Sequence, residues 1–326
     1  MANIKYFFVG VLLVFGVFFI SEWSTDSGYF RSKFSKISFS NETALVSNSV
    51  RESRLGDGCL LVYLDVGANI GIHTRFLFEP EKYPKVKHIH DIFNNNFGKT
   101  RDKRDICSFG FEPNPAHIKR NKQLEQQYAN MGWKYTHIYA GASDHDGNLT
   151  FWHRGDKNKN EWGFGMVKVH GTDTPEVVPL VRLSQWIKHH ISERKLPQSV
   201  HGEYDESTLK EGRVVMKMDI EGSEVYVLPD LMFSGVFCST LSHTFGEFHG
   251  WAASEKREGY ENKRGELEFK SKEDLDSFLY VLSYKGLRSL LPANCKGVYE
   301  DYDSEEYLHD GMPWPDEKRE NSSPKK

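Results

Sequence analysis

Apolar residues in this chain gather in short continuous runs, separated by polar stretches that carry glycine, proline or asparagine. Residues 59–66 form such a run, and its lack of alternation predicts a strand covered on both faces. A glycine-bearing turn and a helical pattern over 71–78 follow, ended by Pro80. The unit then recurs. Residues 106–111 read as a second strand ending at Glu112, after which Asn114 caps a helix with Pro115 at its first position, running over 116–131 and stopping near Gly132. Further strands are expected at 134–140, from the Asp146-Gly147 turn into 149–152, at 177–183, at 214–220 and at 240–248, with Ser184 capping a helix through 185–187. This alternation predicts an α/β domain, an open parallel sheet with helices on both faces that binds ligands at the carboxyl ends of its strands near the switch point.

Both ends of the chain depart from this pattern. Residues 6–20 are an unbroken apolar run between Lys5 and Ser21-Glu22-Trp23. As a helix the run covers about 22 Å at ~1.5 Å per residue, short of the ~30 Å hydrocarbon layer, a gap that a snorkelling Lys5 and an interfacial Trp23 reduce. No small-x-small cleavage pattern lies over 18–23, so a retained signal anchor is expected rather than a cleaved signal peptide. The chain is thereby divided into a short tail (1–5), a transmembrane helix (6–23), a Ser- and Asn-rich stem (24–57), a globular domain (58–299) and a polar, mostly solvated tail (300–326). Sequons at Asn41, Asn148 and Asn321 are usable only in a lumen, which favours a luminal domain in the endoplasmic reticulum or Golgi. Cys59, Cys107, Cys238 and Cys295 allow three pairings; Cys59 and Cys107 either pair across neighbouring strands or stay as buried thiols. Polar stretches at 79–105, 155–175 and 192–212 are long for simple connections, and read as surface insertions or as an acceptor-binding wall.

Composition narrows the class. With 38% hydrophobic and 27% charged residues, there is enough apolar material for one sizeable core plus flanks. The net charge of -4 is spread without a basic stripe, so nucleic acid is not an expected partner. The chain shows no internal repeat.

The first turn carries the most specific chemistry. In Asp65-Val66-Gly67-Ala68-Asn69-Ile70-Gly71 the glycines let the backbone approach a ligand, as in dinucleotide folds. Asn69, however, replaces the middle glycine, and Asp65 stands where a diphosphate would be repelled. A cationic ligand fits better: S-adenosyl-L-methionine carries an ammonium and a sulfonium and no phosphate, so Asp65 would accept from its amino group while Gly67, Ala68, Asn69 and Gly71 make room. Glu112 is then placed for the ribose hydroxyls, and Asp144 with Ser143 for the adenine, unless Asp144 and Asp146 merely shape a turn.

The segments beginning at Leu64 (Leu-Asp-Val-Gly-Ala-Asn-Ile-Gly), Gly110 (Gly-Phe-Glu-Pro-Asn-Pro), Gly141 (Gly-Ala-Ser-Asp) and Lys217 (Lys-Met-Asp-Ile-Glu-Gly-Ser-Glu) together resemble the FkbM family of methyltransferases, over about residues 61–248. The resemblance implies a Rossmann-like class I methyltransferase fold that uses S-adenosyl-L-methionine, often to methylate hydroxyl oxygens. The long insertions and the anchor depart from the family, and such insertions are where an acceptor is chosen.

Methyl transfer to a hydroxyl needs acceptor oxygen, methyl carbon and sulfur in line and a base for the proton. Asp219 and Glu221 follow the strand expected to neighbour the first, which makes Asp219 the leading candidate; the bland alternative is that both only cap the next helix. His249 is a second candidate base, sharing a strand face with His243, Phe245 and Glu247. Asp219, Glu247 and His249 lack a recognised ligand spacing, so no metal is expected. Lys217 reads as an ion-pair partner, and His88, His90, His189 and His190 as surface residues. The expected acceptor is a hydroxylated small molecule or glycan met at a membrane. The competing function is a catalytically silent interaction domain that keeps the fold, while Asn69 and Asp65 disfavour a nicotinamide-dependent oxidoreductase.

Overall fold

The computed structural model describes residues 53–153, 163–166, 168, 170–250, 271–304 and 310–315. The expected anchor, most of the stem and the sequons at Asn41 and Asn321 lie outside them. Among the described residues no helix is long and apolar enough to cross a membrane.

The strands among these residues are β1 (Leu61–Val66), β2 (Ile106–Phe111), β3 (Lys134–Ile138), β4 (Gly141–Ser143), β5 (Gly147–His153), β6 (Thr174–Arg182), β7 (Arg213–Met218), β8 (His243–Gly246) and β9 (Tyr299–Asp301). Six of them form one parallel sheet in the order β3-β2-β1-β7-β8-β9. Every residue of β1 and of β2 is buried, which accounts for their mainly apolar runs. Side chains alternate between the faces of β1, with Val62, Leu64 and Val66 in one core cluster and Leu61 and Tyr63 in the other. The registers are level: Val66 stands opposite both Phe111 and Met218. Gly67, Glu112 and Asp219 therefore leave the sheet at one height, at the β1/β7 boundary where the strand order reverses.

The helices are α1 (Ile72–Phe78), α2 (Lys87–Phe97), α3 (Pro115–Asn130), α4 (Leu183–Ile187), α5 (Glu206–Glu211), α6 (Glu224–Phe233), α7 (Val236–Ser239), α8 (Lys272–Leu282) and α9 (Tyr284–Arg288). Asn114 caps α3 as expected, its Oδ1 accepting from the Ala116 N–H at 2.9 Å.

Several expectations need correction. The stretch 79–105 is not a surface insertion: α2 buries Ile89, Ile92, Phe93 and Phe97, and Phe93 packs edge-on against Tyr63 with ring centroids 5.1 Å apart. That spacing is helical, though the histidines and asparagines between obscure it. Part of 192–212 is likewise tied in, because the buried Asp105 accepts from His201 N–H, Gly202 N–H and the Tyr204 hydroxyl. Strands β4, β5 and β6 do not extend the main sheet but form a second one, with β4 parallel and β5 antiparallel to β6. Ser184 is not a cap: Arg182 holds that position, and Ser184 and Arg182 both donate to Asp230 of α6.

The described residues after 299 are not a solvated tail either. β9 adds to the sheet, Asp303 is buried beside His73 and Lys217, and Asp310 accepts from Arg75, Arg120 and the Tyr83 hydroxyl. Trp314 covers the Arg75 and Arg120 guanidiniums. The folded domain thus runs past its expected boundary. The cysteines form two disulfides, Cys59–Cys107 and Cys238–Cys295, which settles the open alternative for the first pair.

Candidate active site

The loop after β1 is fixed by its own backbone. Gly67 adopts φ +80°, and a Cβ there would lie 1.8 Å from the Asp219 carbonyl oxygen, so only glycine lets this loop pass the extension of β7. The N–H groups of Gly67 and Ala68 both donate to the Phe111 carbonyl at 3.0 Å. Asn69 is left-handed at φ +48°, which asparagine tolerates, and its N–H donates to Glu112 Oε2 at 2.6 Å. Gly71, at φ +76°, packs where a Cβ would come within 2.9 Å of Asn121 and Leu124; Asn121 in turn donates to the Asn69 carbonyl at 2.7 Å.

These elements wall a cleft. Gly67, Ala68 and Asn69 line one side with Phe111 and Glu112, and Asp219, Ile220 and Glu221 line another. Gly141, Ala142, Phe151 and Phe164 supply an apolar wall, and His73 and Lys217 are the basic residues of the lining.

Glu112 is buried, and its other oxygen accepts from the Asn114 N–H at 2.8 Å. Burial alone would push this carboxyl up, but His117 and the two backbone amides hold it below its ordinary value. It is an ionised acceptor at neutral pH, with lone pairs beyond those its backbone partners use.

Lys217 and Asp219 form an ion pair at 3.0 Å, and the lysine also donates to the Gly67 carbonyl at 3.1 Å. Burial would lower the ammonium, but Asp219, Asp303 and Asp65 together raise it, so it stays charged. Burial pushes the Asp219 carboxyl up, and Lys217 offsets this only in part. Glu221 beside it sits at φ +52°, a conformation that strains a side chain of this kind and that is found at the cleft wall.

Glu224, at the start of α6, is fully buried and accepts from the N–H groups of Ile220 at 2.7 Å and Gly222 at 2.9 Å. It also meets His249 Nδ1 at 3.2 Å, while the other ring nitrogen of His249 lies 3.2 Å from Glu247. Burial would push the imidazole down, but Glu224, Glu221 and Asp219 raise it to about 9. His249 is consequently a cation at neutral pH and is not suited to the role of base. Oxygens of Asp219 and Glu224 and a nitrogen of His249 lie within 4.8 Å of one another, near enough to share a cation. Both Glu224 oxygens are also engaged by backbone amides.

Not every sequence-predicted residue reaches the cleft. Asp65 is fully buried and accepts from the Thr74 N–H at 3.2 Å and hydroxyl at 3.0 Å; burial pushes its carboxyl up, and it is not among the lining residues. Its Oδ2 anchors α1 through Thr74. Ser143 and Asp144 also lie off the cleft, with Asp144 paired to His145 at 2.8 Å, and the preceding Gly141 and Ala142 take the lining positions. The residues that sequence reasoning missed are His73, Glu224 and Asp303. Only Glu224 carried a signal, as the first acidic residue of a helix following an acidic loop.

The glycine loop, the carboxylate after β2 and the acidic turn after β7 fall within residues 65–279, which match the methyltransferase FkbM domain. The chain belongs to the FkbM methyltransferase family. Among solved structures, that of a methyltransferase FkbM from Methylobacillus flagellatus KT is similar at 14% identity, covering 63% of this chain and 32% of that one with a TM-score of 0.26. At that level the likeness carries no structural argument, and the matched part spans about a third of that protein's length. None of the curated proteins matches this chain. In this FkbM chain Asp303 and Asp310 stand outside the family domain, although both contact residues within it.

Proposed function

We propose that the protein is an S-adenosyl-L-methionine-dependent methyltransferase that O-methylates a hydroxyl of a glycan or another hydroxylated acceptor of the secretory pathway. The observation that carries this reading is the charge of the cleft. Glu112 and Asp219 stand at the ends of β2 and β7, while the basic groups of the lining, His73 and Lys217, are each paired with a carboxylate. A diphosphate would meet two carboxylates and basic groups already engaged; a ligand with an ammonium, a sulfonium and no phosphate suits the same walls.

Glu112 is the acceptor for the ribose hydroxyls, and the Gly67-Ala68-Asn69 backbone leaves room for the remainder. Such a cofactor supplies an electrophilic methyl group. The chain's own part is to hold the acceptor hydroxyl in line and to take its proton. Asp219, raised by burial, is the lining group best matched to that proton. His249 steadies the acidic loop through Glu224 instead.

The anchor at residues 6–23 and a luminal domain belong to the same proposal. Two disulfides suit an oxidising compartment, and Asn148 of the second sequon is exposed on β5.

The test is calorimetric titration of the purified protein with S-adenosylmethionine, followed by incubation with a methyl-labelled donor and released glycans or hydroxylated extracts. Saturable binding and label in an ether linkage are expected. A folded protein that binds no cofactor rejects the reading, and binding without transfer to any hydroxylated acceptor removes the O-methylation.

A further inference from the structure

We propose that Asp303, which lies beyond the FkbM domain, sets the preference of the cleft for the cationic methyl donor over its by-product, which is uncharged at sulfur. The inference rests on the cofactor reading above.

β9 pairs with β8, from Thr244 opposite Tyr299 to Gly246 opposite Asp301, and this brings Asp303 behind the cleft wall. Asp303 Oδ1 lies 2.7 Å from His73 Nε2, and Oδ2 lies 3.8 Å from Lys217 Nζ. The three side chains are 1%, 3% and 2% exposed, so water does little to screen their charges. Both partners line the cleft, whereas Asp303 does not.

A buried lysine in the wall of a site for a cation is an obstacle, because its charge repels the ligand unless a carboxylate offsets it. Asp219 pairs with Lys217, but burial raises its carboxyl and its proposed role is to take up a proton. Asp303 differs. Burial would raise it too, but His73 and Lys217 hold it well below the usual carboxylate range, so it remains ionised. It is a lasting counter-charge to Lys217, 3.8 Å from the ammonium. S-adenosylmethionine carries one more positive charge than S-adenosylhomocysteine, so a fixed carboxylate near the wall favours the first over the second. The by-product is then the more easily released, without any contact between Asp303 and either molecule. Asp303 is a positioning and charge-setting residue, not a catalytic one.

The test is the ratio of S-adenosylhomocysteine to S-adenosylmethionine dissociation constants, measured by calorimetry on the full chain without an acceptor. Asp303→Asn keeps the shape and removes the charge; it is expected to weaken S-adenosylmethionine about tenfold and S-adenosylhomocysteine less than twofold. Asp303→Glu should restore most of the ratio. If Asp303→Asn does not fold, the double variant K217M/D303N removes the buried pair together and should keep the ratio within about threefold of the original, while K217M alone should raise it. An unchanged ratio in D303N, equal losses for both ligands, or an unchanged ratio in K217M overturns the proposal. Failure of the unaltered protein to bind either ligand would instead reject the cofactor reading.

Discussion

Glu224 and His249 meet at 3.2 Å across the far side of the acidic loop, and the same carboxylate oxygen, Oε1, accepts from the Ile220 N–H. The loop that presents Asp219 and Glu221 is thus shaped by a helix-initial glutamate, and that glutamate is compensated by an imidazolium from beyond β8. Neither residue is needed as an acid or base for the site to depend on both.

This pair makes stability depend on pH in a definite direction. The His249 value is raised from an ordinary 6.5 to about 9, so its contribution is fully present below about pH 6.5 and is lost as pH rises through 9. The shift corresponds to at most about 3 kcal/mol. Thermal melts between pH 6 and 10 should show a falling midpoint over that window, and His249→Gln should be less stable at pH 6.5 with a flatter profile. Parallel profiles for the two proteins would remove the ion pair from the account.

Glu112 offers a second test, since it organises both the loop after β1 and the start of α3 through the N–H groups of Asn69 and Asn114. Glu112→Gln turns one acceptor into a donor facing an N–H, which costs about 1–3 kcal/mol. It should also weaken S-adenosylmethionine at least tenfold by calorimetry. Retained affinity would place the ribose elsewhere in the cleft.

The sheet was legible in the sequence because β1, β2 and β7 are buried on both faces and therefore read as mainly apolar runs. Gly67 and Asn69 were legible because a left-handed backbone selects few residue types, and Glu112 because it ends an apolar strand. A carboxylate at a strand end looks the same whether it faces a ligand or anchors the next helix, so the hydrogen bonds of Asp65 to Thr74 were not legible. Asp303 and Asp310 sit in a polar stretch whose burial depends on partners far earlier in the chain, His73 with Lys217 and Arg75 with Arg120. Periodicity reports burial of apolar side chains and is blind to buried ion pairs of this kind.

The disulfides bear on the same C-terminal segment. Cys238–Cys295 ties the end of α7 to the residues just before β9, upstream of Asp303. Closing loops of 48 and 57 residues is worth about 4 kcal/mol each in the chain-entropy estimate. Material from an oxidising compartment should react with no thiol reagent after unfolding, and reduction should lower the melting temperature. Cys238→Ser with Cys295→Ser should, in addition, weaken S-adenosylmethionine more than Cys59→Ser with Cys107→Ser does. Equal losses would show that the second disulfide has no particular connection to the site.

Two glycines separate strain from steric conflict at the opening loop. Gly58 and Gly67 both have positive φ, +78° and +80°, but a Cβ at Gly58 meets nothing within 4 Å, while one at Gly67 lies 1.8 Å from the Asp219 carbonyl. Gly58→Ala should therefore cost only the left-handed penalty, about 1–2 kcal/mol, and leave cofactor affinity unchanged. Gly67→Ala adds a collision between two backbones that both line the cleft, and neither can yield without moving Asp219 or the loop hydrogen-bonded to Glu112. Any folded Gly67→Ala protein should lose measurable S-adenosylmethionine binding at concentrations that saturate Gly58→Ala. Equal affinities in the two variants would mean that the loop is free to shift, and that its close approach to β7 is not what shapes the site.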